Sequence, residues 1–207
     1  MVVGIAGGSG SGKTSVARSL CEALGKHVLL LQHDDYYHDL THLSVAARAQ
    51  YNYDHPSALD TALLVRQVQS LRSGHTIRRP QYNFVDQSRI PDAVQLTPRP
   101  IIVIEGIMVL QDEALREQMD LRIFVDTAES DRLARRIARD EQERGASADR
   151  TRRQFAAAVK PMHDQYVEPS KAFADFIIPH GYNAASVAIL LSALQRIAQT
   201  LALPPSP

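Results

Sequence analysis

The run Gly7-Gly8-Ser9-Gly10-Ser11-Gly12-Lys13-Thr14 restricts the fold of this 207-residue chain more than any other feature. It fits the phosphate-loop pattern G-x-x-x-x-G-K-[ST], between a predicted strand (Val2–Ala6) and a predicted helix (Ser15–Leu24). Glycines let successive backbone N–H groups point at one phosphate chain, and the helix N-terminus adds a favourable dipole. We therefore predict that the loop binds a nucleotide triphosphate, with Lys13 on the β- and γ-phosphates and Thr14 on Mg²⁺.

Short apolar runs alternate with helical patterns along the rest of the chain, which predicts an α/β fold. The predicted strands are Val2–Ala6, His27–Gln32, Pro100–Ile104, Leu121–Val125 and Asp175–Ile178. Beyond the first helix, helices are predicted over about Ser57–Arg72, Glu129–Glu143, Asp149–Ala172 and Ala184–Ala202. Continuously apolar strands joined by helices favour a five-stranded parallel sheet flanked by helices, in one domain over residues 1–202 with a loose tail at 203–207.

Two polar regions interrupt this alternation. Residues 34–56 are rich in Tyr and His, and residues 74–98 contain prolines, turn residues and short alternating runs that predict a small β-hairpin. Insertions after strand ends are common ligand-binding elements in open α/β folds, so both regions are candidates for the acceptor site.

Composition excludes some classes of function. The net charge is zero, which argues against a general nucleic-acid or membrane-surface binder. No apolar run approaches the roughly 20 residues of a membrane span, and Met1 leads directly into the first strand without a signal peptide. We expect a cytoplasmic protein.

Three acidic residues follow predicted strands. Glu105 ends an apolar strand, where an acid in a phosphate-loop fold helps to hold Mg²⁺. Asp34 and Asp35 follow the second strand, where a carboxylate can position or deprotonate an attacking hydroxyl. The residues alone do not decide between Asp34 and Asp35, and either can be a turn acid or a helix cap.

Arginines are concentrated in the segment 132–153, which contains eight arginines and four acidic residues. Within the predicted helix, Arg132, Arg135, Arg136 and Arg139 form a basic stripe beside the apolar positions. We predict a helical lid over about residues 131–153 that closes on a triphosphate. The alternative is that these arginines lie on a solvated helix face. Their ion pairs with Asp131, Asp140 and Glu143 would then stabilise the fold by about 0–1 kcal/mol each.

Several separated motifs resemble those of the uridine–cytidine kinase family of P-loop NTPases. Besides the phosphate loop they are Asp34-Asp-Tyr-Tyr37, Asn52-Tyr-Asp-His-Pro-Ser57, Pro80-Gln-Tyr-Asn-Phe84, Glu105-Gly-Ile107, Arg135-Arg-Ile-Ala-Arg-Asp140, Glu143-Arg-Gly145 and Lys160-Pro-Met-His-Asp-Gln-Tyr-Val-Glu-Pro-Ser170. The resemblance spans nearly the whole chain. It implies transfer of the γ-phosphoryl of ATP or GTP to the 5′-hydroxyl of a pyrimidine ribonucleoside, in pyrimidine salvage.

The same resemblance implies roles for individual residues. The catalytic residues would be Asp34, Lys13, Arg136 and Arg139. The Mg²⁺ site would comprise Thr14, Asp34 and Glu105, and the nucleotide would be held by the loop residues 7–14 and by Arg144. The nucleoside would contact Tyr53, Asp54, Tyr82, Phe84, Gln87, Arg136 and Gln154, with Asp54 and Arg136 on the ribose. A homotetramer and feedback inhibition by pyrimidine triphosphates are implied as well.

Three positions depart from the family pattern. Gln87 replaces a common His that reads the exocyclic group of the base, and an amide can serve either uracil or cytosine. Ala146 replaces an Arg that contacts the base, and the segment His180–Ala185 lacks two arginines near the phosphate donor. Two alternatives therefore stay open: a related kinase for a sugar phosphate or pantothenate, and a non-catalytic nucleotide-binding regulator.

Overall fold

The structure is a computed structural model that describes residues 1–84 and 86–202, without the side chains of residues 45, 49, 143, 144, 201 and 202. The described strands are β1 (Val2–Ala6), β2 (Val28–Gln32), β3 (Ile77–Asn83), β4 (Ser88–Leu96), β5 (Ile101–Glu105), β6 (Leu121–Val125) and β7 (Phe176–Ile178). The described α-helices are α1 (Lys13–Leu24), α2 (Val45–Gln50), α3 (Thr61–Arg72), α4 (Glu113–Arg116), α5 (Glu129–Arg144), α6 (Ala148–Gln154), α7 (Lys160–Met162), α8 (Glu168–Ser170) and α9 (Ala184–Ala202). The predicted tail at residues 203–207 lies outside the described residues.

A parallel sheet with the strand order β2–β5–β1–β6–β7 forms the centre of the protein. All residues of β1 and β5 are buried, as expected for strands that are covered by helices on both faces. Alternate side chains of β1 face opposite cores: Val3 and Ile5 pack with residues of α1 and α9, whereas Val2 and Ala6 pack with residues of α3. The predicted five-stranded α/β fold is confirmed, and each predicted strand end agrees within one residue.

The strand order determines where a ligand can bind. Because the five strands are parallel, the segments that follow them all open at one edge of the sheet. The chain passes from β1 to β2 and β5 on one side of β1, and then to β6 and β7 on the other side. The phosphate loop after β1 therefore lies at the switch point, where ligands of open α/β sheets bind.

The predicted hairpin insertion is also confirmed. β3 and β4 pair antiparallel, with a register shift between Arg79 and Gln81, on either side of a proline. Arg79 forms an ion pair with Asp35, and Arg89 Nη1 donates to Asp60 Oδ2 at 3.1 Å. These contacts attach the hairpin to the segment after β2 and to the start of α3.

The predicted helix Ser57–Arg72 begins later than expected. The side chain of Asp60 accepts a hydrogen bond from the backbone N–H of Leu63 at 3.0 Å and caps α3, which therefore starts at Thr61. A separate 3₁₀ turn covers Pro56–Ala58, and Leu59 between them is extended and bridges to Tyr37. The short helices α2 and α4 were not predicted.

The predicted helix Asp149–Ala172 is helical but irregular. Two π-helical turns, Phe155–Val159 and His163–Val167, separate α6, α7 and α8, and a 3₁₀ turn ends the segment at Phe173. Each π turn is followed by a helical piece that contains a proline, Pro161 or Pro169. A proline has no N–H for the regular helix ladder, so the ladder shifts there to bonds spanning five residues.

None of the described helices has the length and hydrophobicity needed to cross a lipid bilayer.

Candidate active site

The phosphate loop connects β1 to α1 in the predicted strand–loop–helix arrangement. Gly12 has a φ of 96° and caps α1, so the backbone N–H groups of the first helical turn face the loop. Gly10 has a φ of 81°, and a Cβ atom there would collide with the backbone carbonyl oxygen of Arg132. Both positions therefore require glycine, and the loop presents helix-dipole and N–H groups suited to phosphate.

Lys13 and Thr14, at the start of α1, lie beside Glu105 at the end of β5. Lys13 Nζ is 3.9 Å from Glu105 Oε2, and Thr14 Oγ1 donates to Glu105 Oε1 at 3.2 Å. Glu105 is only 4% exposed, and its Oε2 accepts no hydrogen bond from the described residues. The hydroxyl of Thr14 and the unpartnered Oε2 of Glu105 are both oxygen donors, and Mg²⁺ prefers oxygen ligands, so this pair fits the ion. Among the described residues, no group of three or more His, Cys, Asp and Glu side chains is arranged to hold a metal.

Asp34 and Asp35 face different surroundings, which the sequence did not separate. Asp34 lines the main cavity together with Lys13. Asp35 forms an ion pair with Arg79 of the hairpin, and burial raises the pKa of its carboxyl group while Arg79 opposes the rise. Asp35 therefore has a structural contact, and Asp34 is the carboxylate that faces the space beside the loop.

His33 holds the turn that carries Asp34. It is fully buried, and its Nε2 lies 3.1 Å from Thr61 Oγ1 at the start of α3. Burial lowers the pKa of His33 to about 4, so the ring is neutral at pH 7.

A cavity of about 560 Å³ extends from the phosphate loop to the hairpin. It is lined by Ser9, Lys13, Asp34, Tyr37, Tyr53, Asp54, Tyr82, Phe84, Gln87, Ile107, Arg136, Arg139, Asp140, Ala146, Arg150 and Gln154. Every residue expected to bind the nucleoside is in this set. Of the expected metal residues, Asp34 lines the cavity, whereas Thr14 and Glu105 lie beside Lys13.

Aromatic rings form one wall of the cavity. The ring centroid of Tyr82 lies 5.1 Å from that of Phe84 and 5.2 Å from that of Tyr37. The centroids of Tyr37 and Tyr53 are 5.8 Å apart. Sequence reasoning did not select Tyr37, although it belongs to a quoted motif. Gln87 lies at the hairpin turn with a φ of 58° and lines the same cavity as the rings.

Two of the predicted arginines share one buried carboxylate. Arg136 Nε is 3.3 Å from Asp140 Oδ2, and Arg139 Nη2 donates to Asp140 Oδ1 at 2.8 Å. Arg136 Nη1 also donates to Ser9 Oγ of the phosphate loop at 2.9 Å. Asp140 is 2% exposed, so this arrangement is buried rather than the solvated face of ion pairs that was the alternative. Both arginines line the cavity and leave a net positive charge there.

The start of α5 is packed against the phosphate loop. Thr127 Oγ1 and Arg135 Nη1 donate to the carbonyl oxygen of Ser11 at 3.0 and 3.3 Å. The backbone of Arg132 lies against Gly10, and its side chain is buried. Arg132, Arg135 and Arg136 thus contact the loop in this structure, and the lid over about residues 131–153 stays a prediction.

One face of α6 also lines the cavity. Arg150 and Gln154 are four residues apart and share that face, and Ala146, in the segment before the helix, lines the cavity with them. Arg150 was not selected from the sequence, where it was one arginine among eight. Arg144 was expected to face the phosphates, and its side chain lies outside the described residues.

The segment after β7 closes the other side of the loop. Gly181 donates its N–H to the carbonyl oxygen of Asp126 at 2.8 Å. The backbone nitrogen of Tyr182 would lie 3.0 Å from a Cβ on Gly12, and Ser19 Oγ donates to Tyr182 Oη at 3.3 Å. The segment that lacks the family arginines therefore places a 45%-exposed tyrosine beside the loop.

Comparison with known proteins gives consistent sequence matches. A sequence model described as "Phosphoribulokinase / Uridine kinase family" matches residues 2–186. A uridine kinase of Clostridium perfringens (strain 13 / Type A) is 41% identical over 197 residues, covering 94% of this chain and 95% of the relative. A uridine kinase of Ligilactobacillus salivarius (strain UCC118) is 43% identical over 199 residues, covering 95% and 93%.

Solved structures show the same architecture. A possible uridine kinase from Bacillus stearothermophilus aligns with a TM-score of 0.61 and 20% identity over 86% of this chain and 88% of that one. A phosphoribulokinase from Rhodobacter spheroides aligns with a TM-score of 0.67 and 12% identity over 98% of both chains. At these identities the structural likeness establishes the fold alone.

Proposed function

The chain belongs to the phosphoribulokinase/uridine kinase family, and we propose that it is a uridine/cytidine kinase. It transfers the γ-phosphoryl group of ATP or GTP to the 5′-hydroxyl of a pyrimidine ribonucleoside. The observation that carries the proposal is one cavity of about 560 Å³. Its lining brings together Lys13 of the phosphate loop, the carboxylate of Asp34, the buried Asp140 with its two arginines, and the aromatic wall.

The reaction begins with the nucleoside 5′-hydroxyl beside Asp34. The hydroxyl oxygen forms a bond to the γ-phosphorus, while the bond from that phosphorus to the β–γ bridging oxygen breaks. Asp34 takes the hydroxyl proton, and the products are a nucleoside monophosphate and a nucleoside diphosphate. Lys13 and the loop N–H groups hold the triphosphate, and Arg136 and Arg139 stabilise the charge that develops on the transferred group.

Thr14 and Glu105, together with Asp34, would hold Mg²⁺. The ion would neutralise phosphate charge when it is bound with the nucleotide. Mg²⁺ is usually bound through one or two carboxylates plus substrate phosphates, so this small donor set is sufficient.

The acceptor half of the cavity has the polarity of a ribonucleoside. Asp54 is 8% exposed and can accept from both ribose hydroxyls, so a 2′-deoxyribose would leave this buried carboxylate underpaired. Tyr82 and Phe84 offer ring faces to the pyrimidine. Gln87 has both a donor and an acceptor, which suits either uracil or cytosine.

Initial rates with a substrate panel test this function. Uridine and cytidine, each with ATP and GTP, are expected to give monophosphate products faster than 2′-deoxyuridine, ribulose 5-phosphate or pantothenate. Preferred turnover of ribulose 5-phosphate or pantothenate would replace the proposal with the related-kinase alternative. GTP hydrolysis without a nucleoside monophosphate product would favour the non-catalytic regulator.

Asp34 and its neighbour provide a matched pair of variants. Asp34→Asn is expected to retain nucleotide binding and to lower kcat by at least about 100-fold, because the proton acceptor is removed. Asp35→Asn weakens the ion pair to Arg79 and should lower stability while kcat stays within a few fold. Near-normal turnover of Asp34→Asn in a coupled assay would remove Asp34 from the mechanism.

The homotetramer implied by the resemblance stays a prediction. Sedimentation equilibrium, with and without nucleotide, measures the mass of the assembly directly.

A further inference from the structure

His163 is a buried titratable residue that the proposed mechanism does not use. It is 7% exposed and begins the second π-helical turn, His163–Val167. Its Nε2 lies 3.4 Å from Glu168 Oε2, whereas its Nδ1 is buried without a hydrogen-bond partner among the described residues. Buried polar atoms without a partner are rare, so this nitrogen requires an explanation.

A second, small cavity lies beside His163. Its volume is about 10 Å³, and its lining has three polar residues, Ser9, Asp54 and His163, among five apolar ones. A space of this size holds about one water molecule when two or more polar groups can bind it. The small cavity and the main cavity share Ser9 and Asp54, so the two are adjacent.

The hydrogen-bond chemistry of these three residues is complementary to one water. Burial and the neighbouring Arg132 lower the pKa of His163, so its ring is neutral at pH 7. With Nε2–H directed at Glu168, Nδ1 is an acceptor. A water can donate one proton to Nδ1 and one to the carboxylate of Asp54, and can accept from the hydroxyl of Ser9.

The same π turn also contacts the Asp54 segment directly. The hydroxyl of Tyr166 lies 3.1 Å from Nε2 of His55, which directly follows Asp54, and the two rings pack edge to face with centroids 5.3 Å apart. The π turn therefore contacts the acceptor segment at His55, the residue that follows Asp54. π turns within helices are frequent at functional sites.

We propose that His163 is a positioning residue, which holds the carboxylate of Asp54 against the ribose hydroxyls through one buried water. The inference rests on the proposed function, since it assigns Asp54 to the ribose of the acceptor. It gives a role in the selection of ribonucleosides to a residue more than 100 positions after Asp54, in the irregular helical segment that follows α6.

The test is steady-state kinetics of His163→Phe, which keeps the ring volume and removes both nitrogens. KM for uridine should rise about tenfold, which corresponds to the loss of one hydrogen bond to a charged group. KM for ATP and kcat should stay within twofold. The preference for uridine over 2′-deoxyuridine should fall, because a loosely held Asp54 gains less from the second hydroxyl.

Three further variants sharpen the test. Met162→Leu changes an apolar residue of the same small cavity and should leave the uridine KM within twofold. His163→Asn, whose amide can replace Nδ1, should restore most of the uridine affinity. In an Asp54→Asn background, His163→Phe should add no further loss, because the two residues act as one unit.

Several outcomes would overturn the inference. They are an unchanged uridine KM in His163→Phe, an equal rise in KM for uridine and 2′-deoxyuridine, and additive losses with Asp54→Asn. Should His163→Phe not fold, His163→Leu is read by the same criteria. A wild-type protein that does not phosphorylate uridine refutes the proposed function, whereas an active wild type with an unaffected variant refutes only the role of His163.

Discussion

Two glycines with nearly the same positive φ provide a test of how closely α5 packs on the phosphate loop. Gly10 has a φ of 81° and Gly74 a φ of 83°. A Cβ on Gly10 would collide with the carbonyl oxygen of Arg132, whereas a Cβ on Gly74 meets no atom within 4 Å. Replacing each by alanine therefore places a side chain at a positive φ, and only Gly10→Ala adds a collision with backbone.

The magnitudes follow from these surroundings. An alanine with positive φ costs roughly 1–2 kcal/mol, so Gly74→Ala should lower the free energy of unfolding by about that amount. Gly10→Ala adds an overpacking cost of about 1–3 kcal/mol, since neither the loop nor the helix backbone can move freely. Gly10→Ala should therefore lower the free energy of unfolding by about 2–5 kcal/mol in total. A shift of the loop would relieve this strain, but a shifted loop would no longer direct its N–H groups at the phosphates.

The assay combines urea unfolding with the KM for ATP. Gly74→Ala should keep a wild-type KM for ATP. Gly10→Ala should show either the larger loss of stability or a rise in KM of at least tenfold, because each tenfold change corresponds to about 1.4 kcal/mol. Equal stability and equal KM for the two variants would refute the argument that α5 is packed against the loop at residue 10.

Three further predictions concern charge and pH. Asp140→Ala leaves two cavity arginines without their shared carboxylate and should lower the free energy of unfolding by about 3 kcal/mol, measured by urea titration. Burial lowers the pKa of His33 from 6.5 to about 4 in the folded protein. Between pH 6.5 and pH 4, His33 is therefore protonated in the unfolded chain and neutral in the folded one. Stability should therefore fall by about 2 kcal/mol from pH 6.5 to 5, and His33→Gln should remove this part of the fall; an identical pH dependence in the variant would contradict the assignment. Arg150→Ala should raise KM for the nucleoside or the nucleotide severalfold, because the residue lines the cavity, whereas the exposed Arg153 outside that lining serves as the control; equal KM values for Arg150→Ala and Arg153→Ala would exclude a ligand contact.

Much of the fold follows from local patterns. The five apolar strands and the phosphate loop were predictable because uninterrupted apolar runs and a glycine-rich turn have few structural alternatives. The end of the helix at Arg72 followed from the same periodicity. Its start did not, because capping by Asp60 depends on whether the preceding residues join a different turn.

The irregular helix at residues 148–173 shows a different limit. Its apolar periodicity predicts one helix, and prolines at positions 161 and 169 do not reveal by themselves whether the chain kinks, breaks or widens. Packing against the acceptor segment, including the contact of Tyr166 with His55, accompanies the π turns. Such a contact joins residues 111 positions apart and leaves no local signal.

A phosphate loop, acids at strand ends, a basic helix and motifs that resemble one kinase family can all be recognised in the sequence. Which members of each group share a space depends on tertiary packing. It directed Asp34 into the cavity and Asp35 to Arg79, buried Asp140 between two arginines, and brought Tyr37 and Arg150 to the cavity wall. Residue type and spacing set what a side chain can do, whereas its partners depend on contacts between segments far apart in the chain.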